Sequence, residues 1–175
     1  GVITDADKVF LGSMLPKYTF GFTINMDYKG FDLMVFAQGA GGNKIFKGLR
    51  RLDVATGNYQ TEVLNRWTGE GTSNSVPRVT TAATTNKVFS DYFVEDASFI
   101  RIQNIQLGYT LNSNIAEKIG MSKFRLYTGV NNLYTFTKYR GFDPGASNGA
   151  PIGGGIDDGF YPIPRTYLLG LNINF

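Results

Sequence analysis

Residues 18–37, Tyr-Thr-Phe-Gly-Phe-Thr-Ile-Asn-Met-Asp-Tyr-Lys-Gly-Phe-Asp-Leu-Met-Val-Phe-Ala, decide the fold. Tyr18, Phe20, Phe22, Ile24, Met26 and Tyr28 are apolar or aromatic, and Thr19, Gly21, Thr23, Asn25 and Asp27 between them are small or polar. Successive side chains of a strand point to opposite faces, so this period of two predicts a strand with one oily and one polar face. Lys29-Gly30 then reads as a two-residue turn, with Gly30 free to take a positive φ. Phe31, Leu33, Val35 and Ala37 resume the oily face. Pairing Tyr28 with Phe31 sets Met26 against Leu33 and Ile24 against Val35, so both strands show their oil on the same side.

The same pattern returns further along. Ile100 and Ile102 are apolar at even positions, whereas Ile105, Leu107, Tyr109 and Leu111 are odd. A β-bulge near Gln103-Asn104 reconciles the two phases. Phe124, Leu126, Thr128 and Val130 open another strand that runs on toward Phe136. The last strand has Tyr167, Leu169, Leu171, Ile173 and Phe175 on one face, and Thr166, Leu168, Gly170, Asn172 and Asn174 on the other. The expected strands are thus residues 17–28, 31–40, 98–111, 123–136 and 165–175. Between them, residues 41–95 show no strand period, with a short helix expected around residues 59–67. Residues 112–122 read as a loop with one helical turn, and residues 137–164 as a second long loop. Irregular stretches of this length are uncommon in compact domains and mark functional or membrane-external loops.

Strands of this length exceed the ~5–6 residues of soluble sheets and match the ~9–11 needed to cross a bilayer at a tilt. Short turns at one end, long loops at the other and alternating faces are the plan of outer-membrane barrels, with aromatic girdles at both interfaces. Tyr18, Tyr28, Phe31, Tyr109, Tyr167 and Phe175 lie at strand ends, where girdles belong. Five strands cannot close a barrel, and in lipid every backbone group needs a partner. Further strands are therefore expected from elsewhere, with this chain as the C-terminal piece of a larger barrel.

Composition narrows the chemistry. The 175 residues contain neither histidine nor cysteine, which excludes disulfides, thiolate nucleophiles, Cys/His zinc sites and imidazole catalysis. Seventeen basic against 14 acidic residues give a net charge of only +3, weak grounds for nucleic acid or any other acidic partner. Lys44, Lys47, Arg50 and Arg51 form a short basic run that reads as a solvated loop or a protein contact. No apolar run approaches the ~18 residues of a membrane-spanning helix.

The order of several segments points to a family. They are Pro16 to Phe22 (PKYTFGF), Tyr28 to Leu33 (YKGFDL), Gln38-Gly39 with Gly42-Asn43-Lys44, Arg66-Trp67-Thr68, Pro77-Arg78 and Val94 to Arg101 (VEDASFIR). Leu107 to Leu111 (LGYTL), Asn131 to Tyr139 (NNLYTFTKY), Gly159-Phe160-Tyr161-Pro162 and Arg165-Thr166-Tyr167 follow. In this order the chain resembles, over nearly its whole length, the C-terminal end of SusC/RagA-like TonB-dependent outer-membrane transporters. The resemblance implies an all-β fold: the last five antiparallel strands of a 22-stranded transmembrane β-barrel with long extracellular loops, in the outer membrane of a Gram-negative bacterium. Residues 1–16 are then the remainder of an extracellular loop and residues 17–175 the C-terminal barrel segment, with the plug domain outside this chain. Lys29-Gly30 and residues 112–122 become periplasmic turns, and residues 41–95 and 137–164 extracellular loops. Such transporters import oligosaccharides or peptides with a SusD-like surface lipoprotein, powered by TonB through the N-terminal part, and they are not enzymes.

Candidate site residues follow from both lines of reading. Trp67, Tyr139, Arg140, Phe142, Asp143, Phe160 and Tyr161 are the loop groups suited to a substrate or partner, because aromatic faces stack on sugars and Arg and Asp fix hydroxyl or peptide groups. Mutual packing of the loops is the alternative for the same residues. Tyr167, Leu169, Leu171, Ile173 and terminal Phe175 are similar to the C-terminal signal read by the barrel-assembly machinery. The segment from Gly1 to Asp7 (GVITDAD) resembles the second half of an EF-hand-type calcium loop, with Val2 giving a carbonyl and Asp7 the final carboxylate. A polar loop with a satisfied Asp7 is the alternative there. Gly39 to Lys44 lacks the ending of a phosphate-binding loop. Glu95, Asp96, Asp143, Asp157 and Asp158 have no spacing that fixes a glycosidase pair. Two other functions stay open at this point: a soluble all-β ligand-binding module, and a passive structural piece of barrel.

Overall fold

A computed structural model describes residues 4–49, 57–80, 88–145 and 154–175. They fall into two compact units, one drawn from Pro16–Gly42, Ser98–Lys138 and Pro162–Phe175, the other from residues 1–15, 43–97 and 139–161.

The first unit is a five-stranded antiparallel sheet. Its strands are β1 (Tyr18–Tyr28), β2 (Phe31–Gly41), β5 (Phe99–Thr110), β6 (Lys123–Thr137) and β8 (Thr166–Asn174), in the spatial order β1-β2-β5-β6-β8. Each end lies within one residue of the strand expected from the alternation. The first hairpin has the expected register, with Tyr28 opposite Phe31, Met26 opposite Leu33 and Ile24 opposite Val35. At the turn both residues are left-handed, Lys29 at φ 48° and Gly30 at φ 87°. Two positive φ values make the turn whose twist matches the flanking strands. The connection from β5 to β6 holds one short helix, α1 (Ser113–Lys118), capped by the Asn112 side chain, which accepts from Asn114 N–H at 3.0 Å.

The bulge at Gln103 is real, and it extends beyond β5. Between the last regular pair below it and the first above, β2 advances one residue (Phe36 to Ala37) and β5 two (Asn104 to Ile102). Across the same gap β6 advances three, from Asn131 to Tyr134. The path lengthens strand by strand, so the sheet bends there. Asn132 takes the slack in the left-handed region at φ 54°. Its Nδ2 donates to the Pro164 carbonyl at 3.0 Å, fastening the start of β8.

The second unit is built around a small sheet in the order β4-β3-β7. Strand β3 (Lys44–Lys47) pairs antiparallel with β4 (Val94–Asp96) and parallel with β7 (Ile156–Asp157). Residues 41–95 and 137–164 thus hold short strands where no strand period was legible. The helix expected around residues 59–67 is a 3-10 turn, Thr61–Asn65. Ile45, Ala97 and Tyr139 form the buried cluster of this unit.

On the polar face of the large sheet, Asp32 and Arg125 reach each other across β5. Arg125 Nε and Nη2 donate to the two carboxylate oxygens at 3.0 and 2.5 Å. They cross at Gly108, where an added Cβ would stand 2.5 Å from Asp32 Oδ1 and 2.6 Å from Arg125 Nη2. Gly108→Val in the full-length protein is therefore expected to separate the pair, at a cost of about 2 kcal/mol. The readout is the temperature at which the folded barrel loses its distinct gel mobility; an unchanged temperature contradicts the bridging role of Gly108.

Candidate functional site

The pairing register sorts the side chains of the large sheet onto two faces. On one face the rows read Phe20, Gly39, Ile100, Phe136, then Phe22, Ala37, Ile102, Tyr134. Below the bulge come Ile24, Val35, Ile105, Val130, Tyr167, then Met26, Leu33, Leu107, Thr128, Leu169, then Tyr28, Phe31, Tyr109, Leu126, Leu171. The middle of this face is aliphatic and both margins are aromatic. Nothing in the unit covers it: Leu169 is 79% exposed, Tyr28 70% and Met26 54%. A monomeric soluble protein rarely shows apolar surface on this scale.

Both aromatic margins slant across the sheet. The upper one passes from Phe20 in β1 to Tyr167 in β8, and the lower one from Tyr28 to Phe124 and then Phe175. A slip of two pairing rows, about 13 Å, over four strand spacings, about 19 Å, is a slant of about 35°. Membrane barrel strands tilt by about this angle. Along β1 the ten steps from Tyr18 to Tyr28, so tilted, span about 26 Å of height, close to the apolar band of such barrels.

The opposite face is mainly polar, with several side chains bonded across strands. Arg101 Nε donates to Thr135 Oγ1 at 2.7 Å, and Gln38 Nε2 to Gln103 Oε1 at 3.0 Å. Asn104 Nδ2 donates to Asn131 Oδ1 at 2.5 Å. The ring of Tyr127 lies over Gly170, and the Arg125 guanidinium 4.9 Å from that ring. The edge strands β1 and β8 each pair on one side only among the described residues.

The loop unit is held by buried charge. Lys47 belongs to the basic run read as solvated, yet its side chain is 5% exposed. Its ammonium lies 3.1 Å from Glu62 and 3.0 Å from Glu95. Arg140 closes the cluster: its backbone N–H and Nε donate to Glu95 at 2.9 Å each, and Nη1 to Glu62 at 3.2 Å. Two cations and two carboxylates so arranged tie four separate segments together. Burial pushes the Glu95 carboxyl up, but the bonds from Arg140 and Lys47 outweigh it and hold the carboxyl below its ordinary value of 4.5. Tyr139 donates to Asp157 Oδ2 at 2.6 Å, and Asp157 also accepts from the Gly159 and Phe160 N–H groups. Burial, then this bond, raises the Tyr139 phenol far above its usual range.

The expected loop residues therefore divide. Tyr139 and Asp143 are interior groups, each 6% exposed; Tyr139 is spent on Asp157, and Asp143 accepts from Gly145 N–H at 2.8 Å. Neither presents a face to a ligand, a correction to their reading as contact residues. Arg140 is half-exposed and engaged with carboxylates. Trp67, Phe142 and Tyr161 present apolar surface to solvent, and Phe160 is half-buried. Of the assembly-signal residues, Tyr167, Leu169, Leu171 and Ile173 line the oily face of β8, and Phe175 is exposed just beyond it. Asp7 accepts from the backbone N–H of Thr4 at 2.7 Å in a capping box. Val2 lies outside the described residues, as do Arg50 and Arg51. Among the described residues no three acidic groups converge as a metal site.

No protein-family model matches the chain. It is 34% identical over 182 residues to TonB-dependent receptor P3 of Formosa agariphila, which matches all of this chain but 18% of that protein. TonB-dependent receptor SusC of Bacteroides thetaiotaomicron is 27% identical over 181 residues, again over the whole chain and 17% of the relative. Among solved structures, the RagAB peptide importer in its open-open state superposes with a TM-score of 0.74 at 28% identity, covering 94% of this chain and 18% of that one. The chain belongs to the SusC/RagA-like TonB-dependent receptors. It spans about a fifth of the length of the curated receptors it matches, and its sheet is a piece of their barrel wall.

The charge cluster gives a prediction for this receptor segment. A carboxyl held low in the folded state stabilises fully above its ordinary value, and that stabilisation is lost as the pH falls through the folded-state value. Protease protection of the loop unit in the full-length receptor is expected to be lost on acidification, once the pH has fallen below the ordinary carboxyl value of 4.5 and through the lower folded-state one. Glu95→Gln is expected to cost about 3 kcal/mol at pH 7 and to flatten the acid limb. A Glu95→Gln profile that overlays the parent contradicts the clasp.

Proposed function

We propose that this chain is the C-terminal barrel segment of a TonB-dependent importer of oligosaccharides or peptides, seated in the outer membrane of a Gram-negative bacterium. The observation that carries the reading is the bare oily face of the large sheet, aliphatic at mid-height and aromatic at both margins, between two strands that each lack a neighbour among the described residues. Lipid suits that face, and the remaining strands of a 22-stranded barrel suit those edges.

In this reading residues 17–175 are wall and loops, and residues 1–16 the end of an extracellular loop. The Lys29-Gly30 turn and residues 112–122 face the periplasm, and residues 41–95 and 137–164 the exterior. The clasp of Lys47, Glu62, Glu95 and Arg140 gives the outer loops a fixed shape. Trp67, Phe142, Phe160 and Tyr161 then offer apolar surface to cargo or to a SusD-like lipoprotein over the barrel mouth. The plug and the contact with TonB belong to the rest of the protein. The work is passage rather than bond chemistry: Glu95 and Asp157 are committed to structural partners, and Asp96 lies 3.6 Å from Lys44.

After cell fractionation the full-length protein is expected with the outer membrane, released only by detergent. Recovery as a species soluble without detergent contradicts the reading. The alternation from Tyr167 to Ile173, closed by Phe175, supports a role in barrel assembly. Deleting Phe175 from the full-length protein is expected to lower its surface level several-fold without changing its messenger RNA; a normal surface level contradicts that role.

A further inference from the structure

The turn of the first hairpin carries a residue that the turn itself does not call for. With both central residues left-handed, its geometry favours Asn-Gly or Asp-Gly. Lys29 stands in the first of those positions at φ 48°, a region that a side chain with an ordinary Cβ disfavours. Its ammonium lies over the Tyr28 ring, 5.2 Å from the centre. Tyr28 belongs to the oily face and is 70% exposed. The cation therefore stands with the oily side of the wall and not with the polar one.

Its surroundings there are aromatic, then aliphatic. Phe31 and Tyr109 face each other across β2 and β5 with ring centres 4.6 Å apart. The Tyr109 ring lies against Gly30, where an added Cβ would stand 3.3 Å from Cε2. One row further in, Met26, Leu33 and Leu107 follow. Two other cations lie beside rings, but on the polar face, and both are engaged: Arg101 beside Phe99 donates to Thr135, and Arg125 beside Tyr127 donates to Asp32. Lys29 has no carboxylate partner among the described residues. The short connections at this end, with the first residue of β6, carry Lys29, Lys118 and Lys123 against Glu117.

We propose that Lys29 and the rings around it form a docking site for an anionic phospholipid of the periplasmic leaflet. An acyl chain lies along Met26, Leu33 and Leu107, and the headgroup phosphate meets the ammonium at the level of the rings. An aromatic row closing an apolar band marks headgroup depth, and the site continues the lipid face without a break. A cation at that depth attracts a net negative headgroup, and the Tyr28 ring holds it there. Phosphatidylethanolamine sets its own ammonium against its phosphate and gains less from a second cation. Phosphatidylglycerol has no such internal partner. The proposal rests on the membrane-wall reading and adds a lipid preference to it.

The test uses the full-length protein, otherwise free of cysteine, with a fluorophore on Leu33→Cys. It is reconstituted in bilayers of phosphatidylethanolamine and phosphatidylglycerol in equal amounts, with bromine on the chains of one lipid or the other. The ratio of the two quenching efficiencies reports the lipid preference at that point of the wall. A preference of about fivefold for phosphatidylglycerol is expected, the worth of one lysine near a lipid surface. Lys29→Asn keeps a residue that suits the turn and removes the charge, so it is expected to bring the ratio to about one. Lys29→Arg is expected to keep the preference. With the fluorophore on Phe20→Cys, at the other margin, Lys29→Asn is expected to leave the ratio unchanged. Equal quenching by the two lipids around Leu33→Cys, a preference that survives Lys29→Asn, or an equal loss at both label positions overturns the site. In each of those cases strong quenching by the brominated lipids leaves the membrane wall standing, whereas an absence of quenching by either lipid removes the wall and the site together.

Discussion

Every N–H and C=O along an edge strand needs a partner, and inside a hydrocarbon layer water cannot be that partner. Strands β1 and β8 run eleven and nine residues and are paired on one side only. Their outward side chains are apolar and uncovered. An open sheet of this kind in water is an invitation to aggregate. Set in a closed barrel, the same two strands have neighbours and the same side chains have lipid. The rest of the arrangement follows from that constraint. The tight Lys29-Gly30 turn, the aliphatic band and the slanted aromatic margins are what a tilted membrane wall requires.

The polar face shows how such a wall stays smooth on its inner side. Gly108 lets Asp32 and Arg125 join flat across β5, and Gly170 lies beneath the Tyr127 ring. The glycines are clearances that let long side chains lie along the sheet instead of standing away from it. On the oily face Tyr18 lies over Gly41 and Phe20 over Gly39 in the same manner. The loop unit is stabilised differently. It has a small apolar cluster and depends on buried ion pairs, which are costly to break because each lost partner strands a charge.

Most of the wall was legible because alternation is a strong signal over ten residues. The bulge in β5 showed itself as a change of parity, from Ile102 to Ile105. The larger one in β6 was invisible: Tyr134 comes four positions after Val130, so parity is kept while the register shifts. The turn was recognised from Gly30, but nothing in a lysine announces the left-handed φ that Lys29 adopts. Strands β3, β4 and β7 are two to four residues long, too short to show a period, and they are set by contacts between segments far apart in sequence. For the same reason Lys47 looked like a solvated cation, and Tyr139 like a ligand-stacking ring. The partners that bury them, Glu62, Glu95 and Asp157, lie far along the same loops, at separations that carry no period. Phe36, with Met34 and Ala40 in the same strand, and Phe99 in β5 break the polar phase, and only the register shows that they share one face.

The central claim is that lipid covers one face of this sheet and not the other. Single cysteines at residues 22 to 27 of the full-length protein, otherwise free of cysteine and reconstituted in bilayers, carry a fluorophore that lipid-borne bromine quenches. Strong quenching at positions 22, 24 and 26 and little at 23, 25 and 27 is the expected result. Equal quenching at all six positions, or none at any, contradicts the account.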